Sequence, residues 1–328
     1  MNNVDVTTNK NIGADRDRNV LDWLLEKEQP VVRYFTLVDL IGLREDDPEV
    51  KSTRSRITRV GWAAEQLQQQ KSKGYWEPHE PKNIREWVNF LYFPKFHSTF
   101  WRALVLSDFG LDATNPKIKK IANLLFKYKL SFGSPVNFFF EEASISGNAA
   151  KMMTRFGYCD DRRVRKLYDW LLEDQREDGG WNTSQDTPGT VDVSEPLAAF
   201  AALPKVKRTA KMEQAISMGA EFYLERRLVG GKRPSPARLW LHYPNHYYYD
   251  ILVGLDILTQ LGYGGDPRLR PALDILMKKR QSDGIWLMDR PHPDPQKPKQ
   301  LVIEEPGRPS KWITLKAMRV LKRINDAA

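Results

Sequence analysis

Cysteine is almost absent from this chain. Cys159 is the only one in 328 residues, which excludes an internal disulfide framework. Long apolar runs are missing as well: none approaches the roughly 18 residues that a membrane-spanning helix needs. Residues Met1 to Asp17 are polar and hold no apolar segment of the kind that opens a secretory leader. These absences together predict a cytoplasmic protein, with residues 1–16 as a disordered tail. The chain has little balance of charge, at a net +9, yet no nucleic-acid-binding motif accompanies the excess, so nucleic acid is not an expected partner. The basic clusters (Arg54, Arg56 and Arg59; Lys117, Lys119 and Lys120; Arg162, Arg163, Arg165 and Lys166) read as solvated helix faces. Their other reading is peripheral contact with an anionic membrane or with a phosphorylated substrate. The sequence leaves the oligomeric state open.

What is present is a core and a repeat. Apolar residues make up 41% and charged residues 28%, a balance that buries a core rather than staying unfolded. Three times a helical segment runs into a Gln, a glycine turn and a Trp: QKSKGYW at Gln70 to Trp76, QREDGGW at Gln175 to Trp181, and QSDGIW at Gln281 to Trp286. Consecutive Trp residues of these copies are 105 positions apart. A fixed period of this kind marks an array of like units.

The units share a grammar in which a capping residue opens a helix that ends in a glycine turn. Asp47-Pro48, Asn115-Pro116 and Asp266-Pro267 fit an N-cap followed by proline at the first helical position, and Asp161 and Thr209 supply two more starts. Six amphipathic helices are predicted over Asp17–Glu28, Pro48–Gln70, Pro116–Leu130, Asp161–Gln175, Thr209–Leu228 and Pro267–Gln281. Six more apolar ones alternate with them over Val31–Gly42, Thr99–Phe109, Ala143–Gly157, Glu195–Leu203, His246–Leu261 and Ser310–Ile324. A helix that is apolar all round is a buried one, so the second set is expected inside and the first outside. The fold class that results is all-α: a closed (α/α)6 toroid formed as a single domain over residues 17–328. Two segments interrupt the rhythm and are candidates to cover the mouth or to lie as surface straps. They are the aromatic stretch from Tyr75 to Ser98 and the proline-rich one from Asp289 to Ser310.

In such a ring the inner helices run parallel and their N-terminal ends, with their partial positive charge, gather at one mouth. The residues at those starts are polar: Arg33 and Tyr34; His97 and Arg102; Glu141, Glu142 and Asn148; Asp192, Ser194 and Glu195; Asn245, His246 and Asp250; Lys311. Individually each is explained as an N-cap or as a charge that complements the helix dipole. Collectively they predict a site in which acids, bases and cations share one cavity. The aromatic residues Trp101, Phe138, Phe139, Trp240, Tyr243, Tyr247, Tyr248, Tyr249 and Trp312 interleave with them. Any ring that faces the cavity presents a π face able to stabilise a cation. Cys159 falls at the far end of its inner helix and reads as a buried small residue, so no metal site and no cofactor are expected.

This pattern resembles the terpenoid cyclase and protein prenyltransferase superfamily, whose toroids carry repeated Gln…Gly…Trp turns, and looks most like its squalene–hopene cyclase branch. The resemblance runs from about Val20 to Ile324. In that branch a GGW turn is followed about a dozen residues later by an Asp-x-Asp-Asp motif whose middle aspartate protonates an alkene. Here Asp192-Val193-Ser194-Glu195 lies at the matching place after Trp181. The middle position is Ser194, so the resemblance moves the acid to Glu195, with Asp192 as the neighbouring carboxylate that keeps it protonated. The stretch HYPNHYYYDIL also looks like the aromatic-rich inner helix near the end of those cyclases. No Asp-Asp-x-x-Asp motif occurs, which argues against metal-dependent ionisation of a diphosphate.

The expectation is therefore an isomerase or lyase of the terpene cyclase type that acts on an apolar isoprenoid by acid-initiated chemistry. Asp192, Glu195, His246, Asp250 and Glu142 are its expected catalytic residues. Trp101, His97, Arg102, Asn148, Tyr249, Trp240, Trp312 and Lys311 are expected to bind substrate. Two other readings use the same residues. One is a glycan lyase or hydrolase on an α/α toroid with paired carboxylates. The other is a toroid that binds a lipid or a protein without catalysis. A solvent-open polar groove would favour the glycan, and a closed apolar pocket the isoprenoid.

Overall fold

A computed structural model describes residues 17–83, 85–87, 98–128, 142–184, 186–230, 235–246, 248–290 and 301–327. The expected N-terminal tail, His97, Glu141, Phe138, Phe139, Tyr247 and residues 84, 88–97 and 291–300 of the interrupting segments lie outside the described residues. Within them the chain is all-α, and the one β-type pairing is an isolated bridge between Leu287 and Pro309.

The helices are α1 (residues 17–24), α2 (Pro30–Phe35, continued by a π turn over Thr36–Ile41), α3 (Pro48–Arg56) and α4 (Gly61–Gln68). They continue with α5 (Thr99–Asp108), α6 (Pro116–Tyr128), α7 (Ala143–Met153, continued by a π turn over Thr154–Tyr158) and α8 (Arg162–Glu173). The last five are α9 (Glu195–Ala202), α10 (Ala210–Glu225), α11 (Ile251–Gln260), α12 (Arg270–Lys278) and α13 (Lys311–Ala327). The five start signals act as caps. Side-chain oxygens of Asp47, Asn115, Asp161, Thr209 and Asp266 accept from the backbone N–H of Glu49, Lys117, Arg163, Met212 and Arg268, which satisfies donors that the first turn leaves open.

Two expected helices differ in extent. Pro48–Gln70 is broken over residues 57–60, and α4 restarts at Gly61, which has a φ of 74° and whose missing side chain leaves room for Gln29. The helix expected to open at His246 begins instead at Ile251, because Asp250 is its N-cap and His246 has a left-handed φ of 54°.

Helices of the apolar set pack in chain order from α5 onward: α5 on α7, α7 on α9, α9 on α11, α11 on α13. The last, α13, packs on α2 and its π turn. Outside them, α3 and α4 lie on α2, α6 on α5, α8 on α7, α10 on α9 and α12 on α11. One hydrophobic cluster, from Val20 to Val320, fills the space between the two sets. Trp87, in the aromatic segment, is stacked on Tyr128 of α6 at 4.9 Å, which ties the described part of that segment to an outer helix.

The three repeated turns are built alike. Each Trp sends its indole N–H to a carbonyl ten residues earlier: Trp76 to Gln66 (2.8 Å), Trp181 to Leu171 (2.9 Å) and Trp286 to Leu276 (2.8 Å). Glycines 74, 179 and 284 all have φ near 90° (103°, 85° and 92°), which a side chain would oppose. The Gln70 amide bonds Gly74 O within the turn and Lys117 O on α6; the Gln175 amide bonds Gly179 O and Ala215 O on α10. In the third turn this position belongs to Arg280 and not to Gln281. Arg280 donates to Gly284 O at 2.8 Å and reaches Asp17 on α1, while the Gln281 side chain bonds Lys279 O. Each turn thus ties one outer helix to another, and the third joins α12 to the first helix of the chain.

Candidate functional site

The interior site begins where α7 and α9 touch. Gly147 offers no side chain at the point where the Glu195–Pro196 peptide crosses α7, and this contact carries Glu195 inside, to 5% exposure. Oε2 of the Glu195 carboxyl group has no hydrogen-bond partner among the described residues. Burial pushes the Glu195 acid up to about 8, against the pull of its own backbone N–H, of Lys151 and of Ser144, while Glu142 adds to the rise. Glu195 therefore carries a proton at neutral pH. The cause is burial: Asp192, expected to supply the push, points elsewhere.

Glu195 faces a cavity of about 100 Å³ that Lys151, His246, Tyr243, Trp312 and Lys316 also line. Asp108, Arg155, Asp256, Gln260 and Arg319 line both this cavity and an opening of about 340 Å³ at the C-terminal ends of the inner helices. Tyr248 links it to an opening of about 500 Å³ at their N-terminal ends, where Glu142, Ser144, Asp192, Arg238 and Tyr249 lie.

His246 is held from two sides. The Asn148 amide, on α7, donates to its carbonyl at 2.7 Å, and the Trp101 ring stands edge-on to the imidazole at 5.2 Å. A left-handed residue with a side chain is uncommon and needs such support, and strain of this kind clusters at functional sites. Asn148 and Trp101 thus act on His246, which in turn lines the cavity.

The expected residues divide three ways. Glu195, His246 and Trp312 meet at the first of these cavities. Glu142, Asp192 and Tyr249 share the N-terminal opening, where both Asp192 oxygens pair with Arg238 (2.7 and 2.6 Å) and the Tyr249 hydroxyl donates to Leu228 O. The rest have structural partners. Arg102 bonds Gln66 and Gln69 and lies over Trp76; Lys311 bonds Trp23 O and Glu26; Trp240 lies under Arg290 at 4.0 Å.

Asp250 belongs to this structural group as well. One oxygen caps α11 at Val253 N (2.9 Å) and the other contacts His242 Nδ1 (2.9 Å) and Asn245 Nδ2 (3.3 Å). Burial alone would raise its carboxyl, but the His242 contact, the charge of Lys316 and the Val253 N–H outweigh it and hold Asp250 below the usual range. Acids at two other inner starts cap in the same way: Glu77 accepts from Thr99 N at 2.8 Å, and Glu304 from Lys311 N at 2.7 Å.

What the sequence reading missed is the charge deeper along the inner helices. Lys151 is the one charged residue of α7, and burial pushes it down. Asp256 is the one charged residue of α11; burial would raise it, but Lys316, Arg323 and Arg319 hold it to about 2. A lone charge inside an otherwise apolar helix was the available signal. No group of His, Cys, Asp and Glu able to hold a metal occurs among the described residues. Cys159 follows the π turn and is half-buried, where a buried residue was expected.

No protein-family model matches the chain, and no curated protein does. Among the described residues no helix is long and apolar enough to cross a membrane.

Proposed function

We propose that the helices close into an (α/α)6 ring and that the protein is an enzyme whose Glu195 donates a proton to a small molecule at the ring axis. Three contacts support closure: neighbour packing in chain order, α13 against α2, and Arg280 against Asp17. The observation that carries the chemistry is Glu195 itself, a buried acid that keeps its proton near pH 7 and faces an internal cavity. A general acid works best with an acidity close to the working pH. His246, in the same cavity, is placed to accept or orient a proton.

The cavity wall favours a polar substrate. Acid-initiated cyclisation of an isoprenoid, which the resemblance to terpenoid cyclases implies, passes through a carbocation that needs aromatic and apolar walls. Around Glu195 the wall carries Lys151 and Lys316 beside the paired Arg155 and Arg319, a charged and polar lining rather than an apolar one, and cations destabilise a carbocation held near them. An oxygen-bearing substrate of the glycan class, cleaved or isomerised with Glu195 as acid, fits this lining better. One observation favours the isoprenoid: Trp312, Tyr243 and Phe109 form an aromatic cluster beside the cavity, with Trp312 at 5.0 Å from Tyr243 and 5.2 Å from Phe109.

A substrate screen decides between them. The protein and its Glu195→Gln variant are incubated with neutral and uronate-containing oligosaccharides, and with polyprenyl alcohols and diphosphates. Products are read by mass spectrometry. Turnover of a saccharide that falls at least ~100-fold in Glu195→Gln is the expected result. A cyclised hydrocarbon restores the isoprenoid reading. Absence of any product from the folded protein leaves non-catalytic binding, and turnover that survives Glu195→Gln removes Glu195 from its role.

A further inference from the structure

The charges around the axis do not balance. At the C-terminal opening every guanidinium has a carboxylate: Arg54 pairs with Asp112 at 2.9 Å, Arg323 with Asp256 at 2.7 Å, Arg155 with Asp108 and Arg319 with Asp39. These pairs cancel. Inside them stand two lysines whose charge these pairs cancel less completely. Lys151 has no ion pair and no hydrogen bond among the described residues. Lys316 lies 3.7 Å from Asp256, whose carboxylate Arg323 already holds. Glu195, the remaining acid on this wall, is neutral near pH 7 and offsets neither.

Burial pushes Lys151 towards its neutral form, and an anion placed between the two lysines favours both ammonium groups at once. Trp312, on the same wall, has an indole N–H without an acceptor among the described residues, and Asn245 lines the cavity too. A cavity of about 100 Å³ has room for one compact group of a ligand, whose remainder would lie in the adjoining openings. The opening with the four Arg–Asp pairs adjoins it and gives a route in.

We propose that the axial cavity is a binding site for a compact oxyanion, a phosphate or carboxylate group, held between Lys151 and Lys316. This deepens the function proposed for the same cavity by giving the substrate an anionic group that sits beside the Glu195 proton donor. It rests on that reading for its meaning but not for its test, since anion binding is measured without turnover.

The experiment is calorimetric titration of the full chain at pH 7 with inorganic phosphate, with acetate and with uncharged glycerol. Phosphate or acetate should bind saturably at one site, and glycerol should not. Lys151→Met and Lys316→Met should each weaken the anion at least tenfold, whereas Lys119→Met, at an exposed lysine on α6, should bind it within about twofold of the parent. Should Lys151→Met fail to fold, Lys316→Met and Lys151→Gln carry the same comparison. Preference for phosphate assigns a phosphoryl group, and preference for acetate a carboxylate. Two results overturn the site: neither anion binds, or both lysine variants bind like the parent. Anion binding that persists while every candidate substrate remains unturned would retain the site and discard the proposed catalysis.

Discussion

A Cβ atom on Gly147 would stand 2.4 Å from the Glu195 carbonyl carbon and 2.5 Å from the Pro196 nitrogen. α7 and α9 therefore meet backbone to backbone at the point where the candidate acid turns inward. Gly147→Ala forces them apart, an overpacking that costs about 1–3 kcal/mol. Since Ser144 and Lys151 sit on α7, the shift also moves the partners of Glu195. Thermal melts should show a drop of roughly 2–4 °C per kcal/mol. An unchanged melting temperature would mean that the two helices are not in backbone contact.

Arg280 occupies the place in its turn that Gln70 and Gln175 occupy in theirs, and its reach to Asp17 joins the end of the outer set to its beginning. Arg280→Ala removes the bond to Gly284, the contact with Asp17 and the cation over the Trp286 ring, for a loss of about 1–2 kcal/mol. Arg280→Gln should recover part of this by bonding Gly284 as the other two turns do. Asp17 is 47% exposed, so its share is small, about 0.5 kcal/mol. A double-mutant cycle with Asp17→Asn reads that share, and a coupling of zero would remove this contact from the case for ring closure.

Much of the fold was legible because its signals are local. Caps at Asp47, Asn115, Asp161, Thr209 and Asp266 act within two or three residues of themselves, so sequence alone places them. The misreadings depend on distant partners. A second helix restarts at Gly61, where Gln29 packs against the backbone, and Gln281 was aligned as the motif residue although Arg280 is the one six places before Trp286, as Gln70 and Gln175 are before theirs. The site was legible only at its rim. Asp192 and Glu195, three positions apart, looked like one pair, but Arg238, far along the chain, draws Asp192 to the opening while Gly147 admits Glu195 to the axis. Lys151 and Lys316 lie beyond the helix starts to which the dipole argument directs attention.

Asp250 ties the His242–Asn245 loop to the first turn of α11. Asp250→Ala leaves the helix uncapped and the buried His242 ring without its carboxylate, for a loss of about 2–4 kcal/mol. Its acid is held below the usual value of 3.8, so its stabilisation is present above that pH and disappears as pH falls through the lower, folded value. Urea midpoints of the parent should therefore drop steeply below about pH 4, and Asp250→Asn should flatten that fall. A variant whose acid limb matches the parent would show that Asp250 does not titrate with unfolding.

Glu195 has the opposite sign. Burial raises its acid from 4.5 to about 8, so between these values the folded chain keeps a proton that the unfolded chain has released. Stability must then decline as pH climbs through that window and level off above about 8, the reverse of a carboxylate held in an ion pair. Glu195→Gln cannot lose a proton. At pH 8 it should be more stable than the parent by on the order of a few kcal/mol, with the difference shrinking towards pH 5. Turnover should share the inflection: steady below about 8, then falling tenfold per pH unit as the donor is lost. Urea titrations of both proteins from pH 5 to 9, with rates over the same range once a substrate is known, test the two limbs separately. Parallel stability curves would show that Glu195 is already ionised in the folded protein, and a buried carboxylate beside Lys151 would then be a counter-ion instead of an acid.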